Sequence, residues 1–261
     1  MTAGSDAGRV DVDLTADVAV ITLRRPQKRN ALTPEMLDEL GAAIDVVARS
    51  SARVLLVRGE GAQAFCVGAD INRFAGLTPV QMLDWTARGH RVFDALAQLW
   101  QPSVAVLHAP AFGGGFELAL ACDLRVMSTD AALGLPEVGL GTVPGWGGTE
   151  RLTELVGRAR AKDVVLARRT LDSSTALSWG VVTEVAEPGV LETVLADLVG
   201  RICTGAPIAV SLAKSLIDAA ADGAPARVLE RLAGAVTSST NDLTAGIEGF
   251  RTRTTPQFSG S

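Results

Sequence analysis

Two glutamates and two glycine-bearing turns hold the chemistry of this chain. The first acid lies in Phe112-Gly113-Gly114-Gly115-Phe116-Glu117-Leu118-Ala119-Leu120-Ala121, the second in Leu135-Pro136-Glu137-Val138-Gly139. Glycine lets backbone approach a ligand closely, because no Cβ stands in the way. A helix that begins at the glycine run aims free N–H groups and a positive dipole end at that ligand. Carboxyl groups beside such donors can take and give protons. The combination points to an enzyme that polarises a carbonyl and moves protons next to it. Upstream, Phe65-Cys66-Val67-Gly68-Ala69-Asp70-Ile71-Asn72 offers a second close approach, with small residues at 68 and 69. Two backbone donors converging on one oxygen would form an oxyanion hole. Taken alone this segment reads as an ordinary turn, and two glutamates mean little among 29 acids. The signal is the joint pattern.

These segments need elements to hold them. Val18–Leu23 reads as a strand, followed by a turn over Arg25-Pro26-Gln27-Lys28-Arg29-Asn30. Thr33-Pro34 has the form of an N-cap with proline at the first helical position. Met36, Leu37, Leu40, Ile44 and Val47 continue at helical spacing. Val54-Leu55-Leu56-Val57 is a continuous apolar run, the pattern of a strand covered on both faces. Val104–Leu107 and Leu124–Met127 are further strands on either side of the glycine-run helix. Strand–helix alternation of this kind predicts layered α/β structure. From about Pro207 the pattern is helical. One apolar face runs through Ile208 and Leu216, another through Val228 and Val236, and Asp242 is expected to open a last helix through Phe250. Such faces must be buried, on their own domain or on a neighbouring subunit.

Composition narrows the class. The chain has 261 residues, 48% of them apolar, enough for a sizeable core. Its net charge of −5 lacks a basic nucleic-acid footprint, and Arg158, Arg160, Lys162, Arg168 and Arg169 read as a solvated helix face. Three scattered cysteines argue against a disulfide framework. Met1–Asp11 is small, polar and flexible in character, without the layout of a signal peptide. No run approaches the ~18 apolar residues that span a bilayer. A soluble protein of a reducing cytoplasm is the expectation, with neither nucleic acid nor membrane as partner.

Several alternatives fail on spacing. A dinucleotide fingerprint from Gly113 needs glycine where Leu118 stands, and from Gly145 needs it where Glu150 stands. No phosphate-binding G-x-x-x-x-G-K-[ST] loop and no G-x-S-x-G elbow occurs. Two isolated histidines, His90 and His108, and the scattered cysteines offer no zinc spacing. Both histidines read as structural, with His108 placed to help shape the glycine loop.

The ordered segments together resemble the signature of the enoyl-CoA hydratase/isomerase (crotonase) family. They are Gly68-Ala69-Asp70-Ile71, Gly113-Gly114-Gly115-Phe116-Glu117, Pro136-Glu137 and Gly141-Thr142-Val143-Pro144-Gly145-Trp146-Gly147-Gly148-Thr149-Glu150-Arg151-Leu152. Arg25 to Leu32 is similar to the family's N-R-P-x-x-x-N-A-L loop, and Gly246 to Phe258 to its C-terminal motif. The likeness runs from about residue 10 to residue 258. It implies an α/β fold, a crotonase (ClpP-like) spiral of ββα repeats. Residues 1–205 would form the core carrying the acyl-CoA site, and residues 206–261 a helical region that builds a homotrimer or a dimer of trimers. It further implies no metal and no cofactor beyond the coenzyme A of the substrate. Ala69 and Gly114 fall where the family donates two backbone N–H groups to the thioester oxygen, and Glu117 and Glu137 fall on the two acid positions. Lys28, Arg29, Ala31, Gly68, Asp70 and Ile71 fall along the CoA and pantetheine path. Gly113, Pro136, Gly145 and Trp146 complete the expected binding set.

The implied reaction is syn addition of water to a 2-enoyl-CoA thioester. Enolate charge builds on the thioester oxygen, where fixed donors help most in the transition state. Two carboxyl groups can hold the water, deprotonate it for attack at Cβ and protonate Cα. Family isomerases often lack the acid at position 117, so both acids favour hydration. The alternatives are a double-bond isomerase, hydrolase, decarboxylase or carbon–carbon lyase, or a non-catalytic acyl-CoA- or RNA-binding relative. Three departures bear on substrate choice. Trp146 stands where a small residue is usual, Ala109-Pro110-Ala111 replaces the usual lead-in, and Arg251 and Arg253 replace lysine-arginine. Trp146 is open to two readings, a core residue or a wall of a reshaped acyl pocket.

Overall fold

A computed structural model describes residues 7–74 and 76–261. The chain opens with β1 (Arg9–Leu14) and β2 (Val18–Arg24), an antiparallel pair. Residues 1–6 of the stretch expected to be flexible lie outside the described residues, and Arg9 to Asp11 are strand instead. Alternating Val10, Val12 and Leu14 gave that signal, and Val10 and Val12 pack on the core. Then come α1 (Pro34–Ala48), β3 (Val54–Gly59), α2 (Ile71–Phe74), α3 (Pro79–Ala97), β4 (Ser103–Leu107), β5 (Ala111–Phe112), α4 (Gly114–Ala121), β6 (Leu124–Ser128) and β7 (Leu133–Gly134). The remainder is α5 (Gly148–Leu166), α6 (Ser173–Ser178), β8 (Glu184–Ala186), α7 (Leu191–Cys203), α8 (Pro207–Ala221), α9 (Ala226–Thr237) and α10 (Asn241–Thr252).

Six strands form one sheet in the order β1-β2-β3-β4-β6-β8, parallel from β2 onward. β5 and β7 form a small parallel sheet of their own. The central strands are buried on both faces, which is why they read as unbroken apolar runs. Leu55, Val57, Ala105, Leu107 and Met127 face the main core, with α1 and α4. Val54, Leu56, Val104, Val106 and Val126 face a second core closed by Leu191, Leu195 and Leu198 of α7. The Thr33 hydroxyl caps α1 by accepting from Met36 N at 3.2 Å, and Met36, Leu37, Leu40, Ile44 and Val47 are buried as the spacing predicts.

α4 is buried on every side, so it has no polar face except Glu117. A helix apolar all round belongs in a core. α5 contains a break at Gly157, and its five-residue basic set with the following loop is exposed, as read from the sequence. The C-terminal helices differ from the core. α8 is tethered by Lys214, whose Nζ donates to Asp123 Oδ2 at 2.8 Å and to Gln101 O at 3.3 Å. α8 and α9 bury no residue, and Ile217, Val228, Leu232, Val236 and Ile247 are exposed, with Phe250 88% so. Asp242 stands in the first turn of α10, which runs through Ile247 and Phe250 as expected. Thr240 caps that helix by accepting from Leu243 N, while buried Asp242 accepts from Ser259 N at 2.7 Å and Gly260 N at 3.0 Å, folding the tail back. Among the described residues no single helix is long and apolar enough to cross a membrane.

Candidate active site

The glycine run delivers α4 against the 66–68 segment. Gly113 adopts φ +55, a left-handed conformation that glycine takes without strain, and turns the chain from β5 into α4. A Cβ on Gly115 would lie 2.1 Å from Cys66 O, and one on Gly68 would lie 2.7 Å from Gly114 N. The two close-approach segments therefore meet backbone to backbone. Leu32 N donates to Gly68 O at 2.8 Å and Asp70 N donates to Leu32 O at 2.9 Å. In that parallel bridge the N–H of Ala69 points away from Leu32. Gly114 opens α4, so its N–H has no intrahelical acceptor. Among the described residues, neither Ala69 N nor Gly114 N donates to a carbonyl. Both residues line one cleft together with Glu117 and Glu137, with about 120 Å³ of open space.

Buried polar side chains set the 65–72 segment. Asn30, fully buried, accepts from Arg25 N at 2.9 Å and donates to Glu60 O, Ala64 O and Phe65 O. Arg25, 1% exposed, donates through Nη1 to Asp70 Oδ2 at 2.8 Å and Ala31 O at 3.1 Å. Burial raises the Asp70 carboxyl, but hydrogen bonds from Arg25 and Asn72 outweigh it and hold the group below the ordinary carboxylate range. His108 Nε2 lies 2.7 Å from Gly61 O, joining the glycine-bearing turn to the end of β4. The Ala109-Pro110-Ala111 lead-in leaves the loop anchored, since Pro110 O accepts from Phe65 N at 3.0 Å.

The two acids differ in their partners. Glu117 is 2% exposed, and its Oε1 accepts from Trp146 N and from Gly148 N, each at 2.8 Å. Burial pushes its carboxyl up, and the backbone N–H groups at Trp146, Gly148 and Gly145 pull it part of the way back. Glu137 opens a 3-10 turn, Glu137–Leu140, and both its carboxyl oxygens are buried without a hydrogen-bond partner among the described residues. Burial pushes it up to about 7. Its own backbone N–H opposes that shift without meeting hydrogen-bond geometry, and charge on Glu117 adds to it. Glu137 Oε1 borders Gly113, where a Cβ would stand 3.2 Å away.

Trp146 is a core residue that also lines the cleft. It is 3% exposed in the main core, with ring centroids 5.3 Å from those of Trp85 and Phe93. Its indole fills a slot between two glycines. A Cβ on Gly89 of α3 would lie 2.0 Å from Trp146 Nε1, and one on Gly114 would lie 2.4 Å from Cζ3.

Of the residues expected at the site, Ala69, Ile71, Gly113, Gly114, Glu117, Pro136, Glu137, Gly145 and Trp146 line the cleft. Gly68 supports it from behind, while Ala31 and Asp70 are buried in the Arg25 cluster. Lys28 and Arg29 lie outside the lining. Arg29 borders a neighbouring hollow with Gln63, Ala64, Pro110, Phe112 and Val67, and Val67 also lines the cleft. Arg251 and Arg253 are exposed at the end of α10, outside the lining. Sequence reasoning missed the cleft's apolar wall, Met82, Trp85 and Thr86 of α3 with Leu140 and Val143. The signal for α3 was present. Thr78 and Gln81 form a reciprocal capping box ahead of Met82, Trp85, Gly89, Val92, Phe93 and Leu96 at helical spacing.

Fold and site together define an α/β protein of the crotonase fold. A crystal structure of enoyl-CoA hydratase from Bacillus anthracis superposes with a TM-score of 0.92 at 33% identity, covering 97% of this chain and 99% of that one. The sequence profile of the enoyl-CoA hydratase/isomerase family matches residues 13–261, and the chain belongs to that family of enzymes acting on acyl-CoA. It is 35% identical to the short-chain-enoyl-CoA hydratase of Clostridium acetobutylicum, over 82% of each chain. It is also 35% identical to the crotonyl-CoA hydratase of Syntrophomonas wolfei, over 76% of each.

Proposed function

We propose that the protein adds water to a 2-enoyl-CoA. The observation that carries this reading is the pairing of the Glu117 and Glu137 carboxyl groups with two free backbone N–H donors around one cleft. The thioester oxygen sits between Ala69 N and Gly114 N, which hold the enolate charge that develops as Cβ is attacked. Losing one such donor typically costs about 10²–10³ in rate. Glu117, whose Oε1 accepts from Trp146 N and Gly148 N, takes a proton from the water as its oxygen bonds Cβ. Glu137, unpartnered and pushed up to about 7, holds a proton and gives it to Cα. Solvent then returns a proton from Glu117 to Glu137. Acids whose surroundings separate their protonation states suit paired base and acid roles.

The CoA moiety runs along Gly68, Asp70 and Ile71 toward Lys28 and Arg29, past the hollow that shares Val67 with the cleft. The exposed apolar faces of α8–α10 are buried in a homotrimer, or a dimer of trimers. The test is loss of the conjugated absorbance of crotonyl-CoA on adding enzyme, with an 18-dalton gain in the product. Glu117→Gln and Glu137→Gln each abolish the activity. No turnover across acyl lengths from four to ten carbons would overturn it, and an isomer of unchanged mass would replace hydration with double-bond migration.

A further inference from the structure

The peptide segment that holds Glu117 is itself held from behind. Trp146 and Gly148 give their N–H groups to Glu117 Oε1, and the carbonyl between them, Trp146 O, accepts from Arg151 Nη1 at 2.9 Å. The other arm of that guanidinium, Nη2, donates to Asp94 Oδ1 of α3 at 2.6 Å. The fork is only 17% exposed, whereas Asp94 is 49% exposed. Gly147 has φ +95, and a Cβ there would lie 2.1 Å from Arg151 Nη1, so the guanidinium occupies the space a side chain would take. Arg151 thus fixes one peptide carbonyl and packs against Gly147, using a planar fork that a lysine point charge cannot reproduce.

We infer that Arg151, anchored by Asp94, is a positioning residue that sets the Trp146 and Gly148 N–H groups on Glu117. It touches neither substrate nor reacting atoms. Freed from the fork, the Gly145–Gly148 turn keeps its sequence but loses its fixed carbonyl, and the donors drift from Oε1. Misplacement on the order of 1 Å near reacting groups costs about 100-fold in rate. Among charged groups, His90 of α3 acts on Glu117, and Glu137 is coupled to it across the cleft. Arg151→Lys keeps the positive charge, so a Glu117 titration shift that it shares with Arg151→Met passes through the turn and not through the lost charge.

The kinetic part of the test rests on the hydration reading. Arg151→Met is expected to lower kcat for crotonyl-CoA about 10- to 100-fold, with KM changed by no more than about threefold, since the CoA path is untouched. Its acid limb in kcat/KM is expected to move to higher pH, because a carboxylate that loses donors is harder to ionise. Arg151→Lys, which can satisfy one of the two contacts, should fall between, and free guanidine added to Arg151→Ala should restore part of the rate. A variant that is merely less stable loses activity equally at all pH and gains nothing from guanidine, and that result overturns the inference. The second arm needs no turnover. The ¹³C carboxyl titration of Glu117, assigned through Glu117→Gln, should shift upward in Arg151→Met protein whose circular dichroism matches wild type. An unmoved Glu117 titration overturns the inference even where hydration is confirmed. A shifted one sustains it even where hydration fails.

Discussion

Replacing Gly114 with alanine tests the site through one methyl group. The added Cβ would stand 2.4 Å from Trp146 Cζ3 and 2.6 Å from Cε3, where ordinary contact begins at 3.4 Å. About 1 Å of movement is needed. The indole cannot supply it. Gly89 closes its far side, and the rings of Trp85 and Phe93 stand 5.3 Å away by centroid. The first turn of α4 has to give, and it carries Gly114 N. Overpacking of this size costs about 1–3 kcal/mol, near 3 °C of melting temperature per kcal/mol in a chain of this length. A donor displaced by ~1 Å costs about 100-fold in kcat. The assay is crotonyl-CoA hydration beside calorimetric melting. Trp146→Leu in the same chain removes the opposing ring, so the double variant should recover at least fivefold in kcat over Gly114→Ala alone. Neighbouring residues of this kind couple by about 0.5–3 kcal/mol. Gly200→Ala in α7 is the control. A Cβ there meets nothing within 4 Å, so it should gain about 0.5–1 kcal/mol. Gly114→Ala within threefold of wild type in kcat and unchanged in melting would refute the reasoning, as would a Trp146→Leu background that gives no relief.

Three other outcomes can be measured. Glu137 titrates near 7 in the fold against an ordinary 4.5, so its stabilisation is complete below 4.5 and is lost as pH rises through 7. Glu137→Gln should therefore melt higher than wild type at pH 8 and gain less at pH 4. An equal difference at both would contradict this. Asn30→Ala strands buried backbone groups and puts alanine at φ +57. Urea titration should show a loss of about 3 kcal/mol or more, and a loss below about 1 kcal/mol would show that the loops hold without it. Burial pushes the Cys66 and Cys122 thiols up to about 12. Brief iodoacetamide treatment of native protein at pH 8 should label Cys203 alone, and adducts at 66 or 122 by peptide mapping would show the core opening.

Much of this architecture was legible in the residues. Unbroken runs such as Val54-Leu55-Leu56-Val57 mark strands covered on both faces, and Thr33-Pro34 marks the start of α1. What stayed hidden depended on partners remote in sequence. Asp242 looks like a helix-opening acid, yet its carboxylate is taken by a tail 17 residues later. α3 was overlooked because its exposed face, with Val80 and Leu83, blurs the apolar stripe. At the site, the glycine run and both acids could be found from spacing. That Glu117 spends one oxygen on two N–H groups while Glu137 meets none could not, because those donors lie 29 and 31 residues away. Lys28 and Arg29 stand apart from the cleft lining, which protein side chains alone define.

The indole slot also couples three positions that lie far apart in the sequence. Trp146 fits only where positions 89 and 114 both lack a Cβ. At both positions the atoms nearest an added Cβ belong to the indole. Tryptophan at 146 and a side chain at 89 therefore compete for the same space. A small residue at 146 would remove the nearest obstacle to a Cβ at either position.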